Sequence, residues 1–584
     1  MELIFDFILS HMKPIELFVF WYPIAMGMLW MIGGIIYYYR IERKDPLPLT
    51  DTPMVSILVP AYNEGDNIIT TVNHLNALHY PHYEIILIND GSSDNSPDIE
   101  QQLASQYARV RFVDLKENCG KANALYLGFL AARGEYLVCV DGDSYLDPDC
   151  LRYMIPHFVN PNNGERVGAV TGNPRVRNRS SLLAKIQLCE YASIISLIKR
   201  CQRIWGKVMT VSGVVVAYRK QALLDCGLWD RDLITEDIGV TWKLERNFWD
   251  IRYEPRAICW MLVPETIKGL YKQRKRWAQG GQEVMLRHFG IFKSWRRRRL
   301  FPVYAEQVLS LTWVLSWLLL TLTEIIRLYY HTDSYIPYIW KSQYLAVICL
   351  IQFIVAIFLE KKYDEKILRN MLVAAWYPAV YWIINGLVAL SALPTTLLKP
   401  RKKLATWNSP DRGIHTAQEQ TAATIVEDQS HIITGQQKRW KKGLEILCTC
   451  MVWCFILVYI LYCIYGGICI LMHKMPVSIW IYNRDVIVES GRLLYITFIL
   501  LLIETVLMIF WKEYNRRRFG GLTRRKFKPN ATIRQTAAFF HMDPDDVLRM
   551  QTETIVTLPH NIIPVDFKAK PMKNYDFSQE AASD

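Results

Sequence analysis

Hydrophobic residues are arranged along the chain in two ways: long unbroken apolar runs, and short β-branched bursts separated by amphipathic stretches. Runs at 15–39, 303–327, 340–360, 445–471 and 490–512 approach or exceed the about 20 residues that an α-helix needs to cross a membrane core. A sixth, 372–397, is interrupted by Pro378, Asn385-Gly386 and Pro394, and Lys and Arg flank both of its ends. A re-entrant or interfacial helix pair suits those flanks, whereas a single crossing does not, and the sequence leaves the choice open. The first run lacks a cationic leader and a small-residue cleavage site, so it is expected to stay as an anchor.

Between the first and second runs the texture changes. The segments 54–60, 83–90, 110–115 and 135–143 are continuous apolar and β-branched bursts, the pattern of strands buried on both faces of a parallel sheet. Helical periodicity fills the gaps, at 67–78 and 121–132 for example. This alternation predicts an α/β, Rossmann-like nucleotide-binding domain, with ligands at the carboxyl ends of the strands.

Composition agrees with a membrane protein carrying a large polar domain. Of 584 residues, 51% are hydrophobic and 21% charged, which excludes a disordered or collagen-like chain. The 68 Lys and Arg outnumber the 55 Asp and Glu, but the excess sits beside the apolar runs, as on the inner face of a membrane, so no nucleic-acid partner is expected. The basic flanks place the α/β domain in the cytoplasm. Cys448, Cys450, Cys454 and Cys463 share one apolar run with no interleaved His, which predicts helix packing and neither a zinc site nor a disulfide frame.

The chemistry lies where strands end. Strand one runs into Tyr62-Asn63-Glu64, and strand two into Asp90-Gly91-Ser92-Ser93-Asp94. An Asp so placed can accept hydrogen bonds from a base or ribose, and it can equally cap a turn. Strand four delivers Asp141-Gly142-Asp143. Two carboxylates at a buried strand end are costly unless a cation joins them, and hard oxygen ligands suit Mg²⁺ or Mn²⁺; a surface turn is the plainer alternative. Thr235-Glu236-Asp237 and Gln273-Arg274-Lys275-Arg276-Trp277 follow. The last opens a stretch, 268–300, with eleven Lys or Arg and one acid, Glu283.

In this order, Asp, Asp-x-Asp, Thr-Glu-Asp and Gln-x-x-Arg-Trp resemble the processive family-2 glycosyltransferases. The wording at 135–143, 167–180, 210–223, 233–244, 263–281 and 406–414 is similar to the poly-β-1,6-N-acetyl-D-glucosamine synthase branch. Residues from about 430 onward resemble the small two-span partner subunit of those synthases. The resemblance implies a GT-A-type cytoplasmic glycosyltransferase domain inserted into an α-helical transmembrane bundle, in a multi-pass protein of the bacterial inner membrane. The expected division is 1–45 anchor, 46–283 glycosyltransferase domain, 284–403 interfacial helix and channel region, 404–436 linker, and 437–584 partner-like hairpin with a cytoplasmic tail.

The resemblance also implies roles. UDP-N-acetylglucosamine is the expected donor, with Tyr62, Glu64 and Asp90 at uridine and Lys121 at the diphosphate. Asp143, supported by Asp141, is expected to hold Mg²⁺ or Mn²⁺. Asp237 is the expected base beside Glu236, with Arg276 at the diphosphate, Trp277 as acceptor floor and Gln273 orienting the loop. Gly172, Asn173, Pro174, Ser212 and Gly213 are expected to line the acceptor side. Growing polysaccharide, lipid bilayer, fused partner subunit and outer export machinery complete the expected partners. Cyclic di-GMP is the expected activator, with Arg200, Arg203, Arg516, Arg517 and Arg524 as candidate contacts; their alternative role is to flank membrane segments. Another UDP-sugar polymerase, of hyaluronan or chitin type, and a non-catalytic cyclic-dinucleotide receptor are the competing readings.

Overall fold

The computed structural model describes residues 2–161, 163–330, 336–398, 405, 431–433, 438–519, 530–564, 567, 569 and 571. The sequence signature at 406–414, most of the expected linker and Arg524 lie outside the described residues.

The four expected strands form as β1 (Val55–Ala61), β2 (Tyr83–Asp90), β3 (Val110–Leu115) and β4 (Tyr136–Cys139), and every residue in them is buried. That burial on both faces accounts for their lack of apolar–polar alternation. Five more strands complete a nine-stranded sheet: β5 (Tyr145–Leu146), β6 (Val167–Val176), β7 (Val216–Arg219), β8 (Asp250–Met261) and β9 (Ile555–Leu558). Their order is β5-β8-β6-β7-β4-β1-β2-β3-β9. The sheet is mixed: β1 pairs in parallel with β2 and β4, whereas β7 runs antiparallel to both β4 and β6. Gly172-Asn173-Pro174 belongs to β6, with a register shift against β8 between Thr171 and Asn173, so it is an interior strand segment and not a turn lining an open surface.

Among the described residues, six helices are long and apolar enough to cross a membrane: Met12–Glu42, Trp295–Ile326, Ile339–Glu360, Tyr377–Leu398, Arg439–Leu471 and Arg484–Arg518. The interrupted sixth stretch is a tight-wound helix, Glu365–Ala375, followed by a π-turn and the helix Trp382–Leu398. Both flanks bond to the α/β domain. Asp364 accepts two hydrogen bonds from Arg179 (3.1 and 2.5 Å), and the Ala405 amide donates to the Arg231 carbonyl (3.0 Å). Along its length Thr396 and the Ala389 carbonyl share Gln282 of the helix Ile267–His288. The stretch is thus tied to one domain at both ends, through Asp364 and Ala405.

Buried ion pairs join the membrane helices to the domain. Arg200 bonds Glu42, at the end of the first span, at 2.6 Å; Arg200 and Arg175 both pair with Glu360, at the end of the third. All four side chains are fully buried.

The far end of the chain returns to the catalytic sheet. Strand β9 pairs in parallel with β3, Phe112 opposite Ile555 and Leu115 opposite Leu558. The helices Ile533–Phe540 and Pro544–Thr552 cover the helix Lys121–Ala131, where the Phe540 ring stacks on Phe567 (5.6 Å) and meets Tyr126 edge-on (5.9 Å). Nothing in the polar tail's hydropathy predicts this; β9 is four residues long, and only β3 makes it a strand. Phe540→Ala is expected to remove about 3–5 kcal/mol of this packing. Hydrogen exchange should then show earlier opening of 533–563, with β1 and β2 unchanged.

Candidate active site

The acidic residues converge at the carboxyl ends of β1, β2 and β4. Asp90 closes β2, fully buried, and its carboxylate accepts the amides of Cys119 (3.0 Å) and Gly120 (2.8 Å). Burial raises its pKa to about 6, against the pull of those two hydrogen bonds. Gly91 follows at φ +68°, where a Cβ would meet the backbone of Glu117 and Asn118, so the turn needs glycine. After β1, Asn63 and Ser92–Ser93 staple the two loops: the Asn63 amide donates to Ser92 Oγ and its side-chain oxygen accepts the Ser93 amide, both at 2.9 Å. Glu64 is buried, accepts from Asn67 Nδ2 (3.1 Å) and lies over Gly142, where a Cβ would come within 3.1 Å of its Cγ. Tyr62 stands half-buried beside it.

Lys121 opens its helix and joins two motifs. Its ammonium lies 2.6 Å from Asp141 Oδ1 and 3.2 Å from Glu236 Oε1. Burial would lower its pKa, but Asp141, Glu236 and Asp237 outweigh burial and hold it well above the usual lysine range. Asp143, almost fully buried, accepts from Ser144 Oγ at 3.0 Å. Asp237 begins the helix Glu236–Arg246; burial, then the Glu236 charge, push its carboxyl up to about 6, while Lys121 and Arg276 pull the other way. Across from it a Cβ on Gly213 would come within 3.2 Å of Asp237 Oδ2. Ser212 accepts from Lys199, whose buried ammonium is lowered to about 7.

The helix Ile267–His288 carries the Gln-x-x-Arg-Trp group, capped by Thr266. Gly280 lies against Thr235 with no room for a Cβ, which brings this helix onto the Thr-Glu-Asp motif. Arg274 covers the Trp277 ring at 4.0 Å and bonds Glu190 (2.6 Å) and Tyr381 (3.3 Å). Gln273 is buried, and its side-chain oxygen has no hydrogen-bond partner among the described residues. Beyond Tyr381 a cavity of about 230 Å³ lies between four apolar helices, lined by Tyr22, Trp313, Gln352, Trp382 and Asn385, with Trp313 and Trp382 stacked at 5.2 Å.

Tyr62, Glu64, Asp90, Lys121, Asp141, Asp143, Glu236 and Asp237 therefore share one cleft, with Ser212, Gly213, Gln273, Arg276 and Trp277 at its membrane side. Asn173 is set apart: it is fully buried, and its amide donates to the Pro255 carbonyl and to Glu360, both at 3.1 Å. Gly172 and Pro174 flank it within buried β6, where a Cβ on Gly172 would collide with the Ala257 carbonyl. The four described dinucleotide candidates do not form one surface. Arg200 is inside the ion cluster described above, and Arg203 bonds Asp250 (3.0 Å) and the Ile251 carbonyl. Arg516 and Arg517 are exposed and bond Glu513 (2.6 and 2.8 Å). The first two neutralise carboxylates in the interior, an outcome that basic residues near an apolar segment do not reveal in sequence. Sequence reasoning gave no role to Arg274, Glu190, Tyr381 or Gly280; the position of Arg274 inside the Gln-x-x-Arg-Trp group was the one available signal.

Residues 53–280 match the family Glycosyltransferase like family 2, and residues 431–562 match the family PgaD-like protein. Over 409 residues, 68% of this chain and 98% of the relative, the chain is 44% identical to a poly-beta-1,6-N-acetyl-D-glucosamine synthase of Staphylococcus epidermidis. A synthase of the same name from Staphylococcus aureus strain MSSA476 is 43% identical over 410 residues, with the same coverage. Among solved structures, a mannosyltransferase of Pyrobaculum calidifontis in complex with GDP-Man and Mn2+ is 19% identical, covering 65% of this chain and 99% of that one with a TM-score of 0.46. The α/β domain has the GT-A-like glycosyltransferase fold with a mixed sheet, and the chain belongs to the poly-β-1,6-N-acetyl-D-glucosamine synthases of glycosyltransferase family 2, with a PgaD-like domain fused behind the catalytic region.

Proposed function

We propose that this protein polymerises N-acetylglucosamine from UDP-N-acetylglucosamine into a β-1,6-linked chain and passes that chain across the bacterial inner membrane, with its catalytic domain in the cytoplasm. The observation that carries the proposal is the position of Asp237, which faces Gly213 on one side and the Lys121–Asp141–Glu236 group on the other. The names of its relatives supply the sugar and the linkage.

Tyr62, Glu64 and Asp90 hold uridine, and Lys121 and Arg276 meet the diphosphate. Asp143 and Asp141 are hard oxygen donors at the end of β4, and no group of three or more His, Cys, Asp or Glu among the described residues forms a cage of its own. That donor set fits Mg²⁺ or Mn²⁺, which takes one or two carboxylates and completes its shell with substrate phosphates. Bound there, the ion would offset the charge of the UDP leaving group. Asp237 takes the proton of the acceptor hydroxyl as that oxygen attacks the anomeric carbon from the face opposite UDP. One base and one displacement invert the α-linked donor to a β-linkage. Trp277, held flat by Arg274, offers its face to the acceptor sugar, and Gln273 has an unspent carbonyl to orient the loop. The Trp-lined cavity beyond Tyr381 supports export, since aromatic faces pass sugar rings without fixed hydrogen bonds. The PgaD-like domain supports cyclic di-GMP as activator, and the basic flanks of the membrane helices support the orientation.

Asp237→Asn should lower UDP release from UDP-N-acetylglucosamine and Mg²⁺ by about 10²–10⁴-fold, the usual contribution of a general base. The native product should be cut by an enzyme specific for β-1,6-linked N-acetylglucosamine. A polymer that resists it moves the substrate to another sugar; full turnover in Asp237→Asn removes the proposed mechanism.

Asp237 must be ionised to accept a proton, and Asp90 to accept from the base. Both carboxyls titrate near 6, so kcat/KM should fall as pH drops through about 6 and level off above it. Gly213→Ala, which sets a methyl against Asp237, should lower kcat by about 10- to 100-fold while the protein stays folded, as a misplaced base does.

A further inference from the structure

The fused tail makes contacts that neither membrane anchoring nor sheet edge protection requires. Beyond β9, Asn561 meets Asn123 through a reciprocal amide pair: Asn561 Nδ2 donates to Asn123 Oδ1 at 3.1 Å, and Asn123 Nδ2 to Asn561 Oδ1 at 3.2 Å. Asn123 is fully buried in the first turn of the helix Lys121–Ala131, and its own amide bonds the Gly120 carbonyl at 2.9 Å. Gly120, at φ +90°, gives one of the two amides that hold Asp90, and Lys121 is the next residue.

A second tie meets the same asparagine. Arg231 donates to Asn123 Oδ1 (3.3 Å) and, through its other nitrogen, to the tail carbonyls of Pro564 (2.7 Å) and Phe567 (2.9 Å). Arg231 lies four residues before Thr235, on the approach to Glu236 and Asp237. On the other side of the loop the Lys116 amide donates to the Leu558 carbonyl at 3.1 Å, and His560 bonds Glu117 at 2.8 Å. The His560–Glu117 pair is exposed and worth little by itself; in the Asn123–Asn561–Arg231 node Asn561 is half-buried but Asn123 and Arg231 are buried, and an orphaned amide on Asn123 costs a desolvation penalty.

We infer that the C-terminal tail of the PgaD-like domain, through Asn561, is a positioning element of the donor site: it fixes the Glu117–Lys121 loop that presents two amides to Asp90 and an ammonium to Asp141 and Glu236. The partner domain thus contributes to nucleotide-sugar binding directly, and a synthase domain without it holds this loop from one side only. The inference rests on the proposed role of Asp90 and Lys121 in binding the UDP donor.

The test uses the full-length chain in membranes, with UDP release for kinetics and competition by UDP for nucleotide affinity. Asn561→Leu, close in volume but without an amide, should raise KM for UDP-N-acetylglucosamine and weaken UDP binding by about 5- to 10-fold, as loss of a buried hydrogen-bond pair implies, with kcat within about 2-fold. Asn561→Ser, which keeps a hydroxyl, should show a smaller shift of the same kind and serves if leucine unfolds the tail. KM and UDP affinity unchanged in folded variants, or a fall in kcat alone, would overturn the inference. Asp90→Asn in parallel separates the two claims: if it leaves donor KM unmoved the donor-site reading fails, and if it raises KM while the Asn561 variants do not, only the tail's role fails.

Discussion

Negative charge gathered at one edge of the sheet is the constraint on which the rest depends. Asp90, Asp141, Asp143, Glu236 and Asp237 stand at strand or helix ends in a largely buried cleft, with Lys121 bonded to two of them. Unpaired carboxylates there would be costly, and each local feature answers that cost. Gly91 and Gly120 turn so that backbone amides reach Asp90. Lys121 bridges the Asp-x-Asp and Thr-Glu-Asp groups across the sheet. Gly280 and Gly213 leave space for the helix and loop that close over Asp237. A cleft so provided with anionic oxygen suits a cation carrying a diphosphate.

A cleft proposed to feed a membrane path must also keep its place relative to the apolar helices. The pairs Arg200–Glu42, Arg175–Glu360 and Arg179–Asp364 connect the catalytic domain to membrane-associated segments, and Tyr381 donates to Glu190 beside the Arg274–Glu190 pair. Breaking one partner of such a buried pair leaves an uncompensated charge and typically costs about 3–5 kcal/mol. These pairs fix domain and bundle as one body, with Trp277 and Arg274 between the acidic cleft and the Trp-lined cavity. The PgaD-like domain then clasps the body in two places: one of its first described residues, Ile433, exchanges backbone bonds with Arg177 and Arg179 in the segment that follows β6, and its tail pairs with β3.

Much of this was legible in the chain. Strands buried on both faces announce themselves as continuous apolar runs, so β1 to β4 fell where expected, and the motifs at their ends stood at the cleft. What sequence could not convey was pairing at a distance. Asn173 is expected on the acceptor side, yet it lies inside β6, paired with Ile258 of β8. In sequence, Arg200 and Arg203 are candidates for cyclic di-GMP contacts or membrane flanks, because nothing nearby points to their partners, Glu42, Glu360 and Asp250. Strand β9 has no pattern of its own and exists because β3 presents an edge. The flanking charges of 372–397 leave its topology open, and the structure adds that both of its ends bond the catalytic domain, through Asp364 and Ala405.

The central claim, that the acidic edge is built for a cation and a nucleotide diphosphate together, is tested most directly by Mn²⁺ binding to the full-length protein, followed by electron paramagnetic resonance with and without UDP. The prediction is weak binding of Mn²⁺ alone, binding at least about tenfold tighter with UDP as phosphate oxygens complete the shell, and loss of that gain in Asp143→Asn. Mn²⁺ binding indifferent to UDP, or a UDP-dependent site that survives Asp143→Asn, would contradict it.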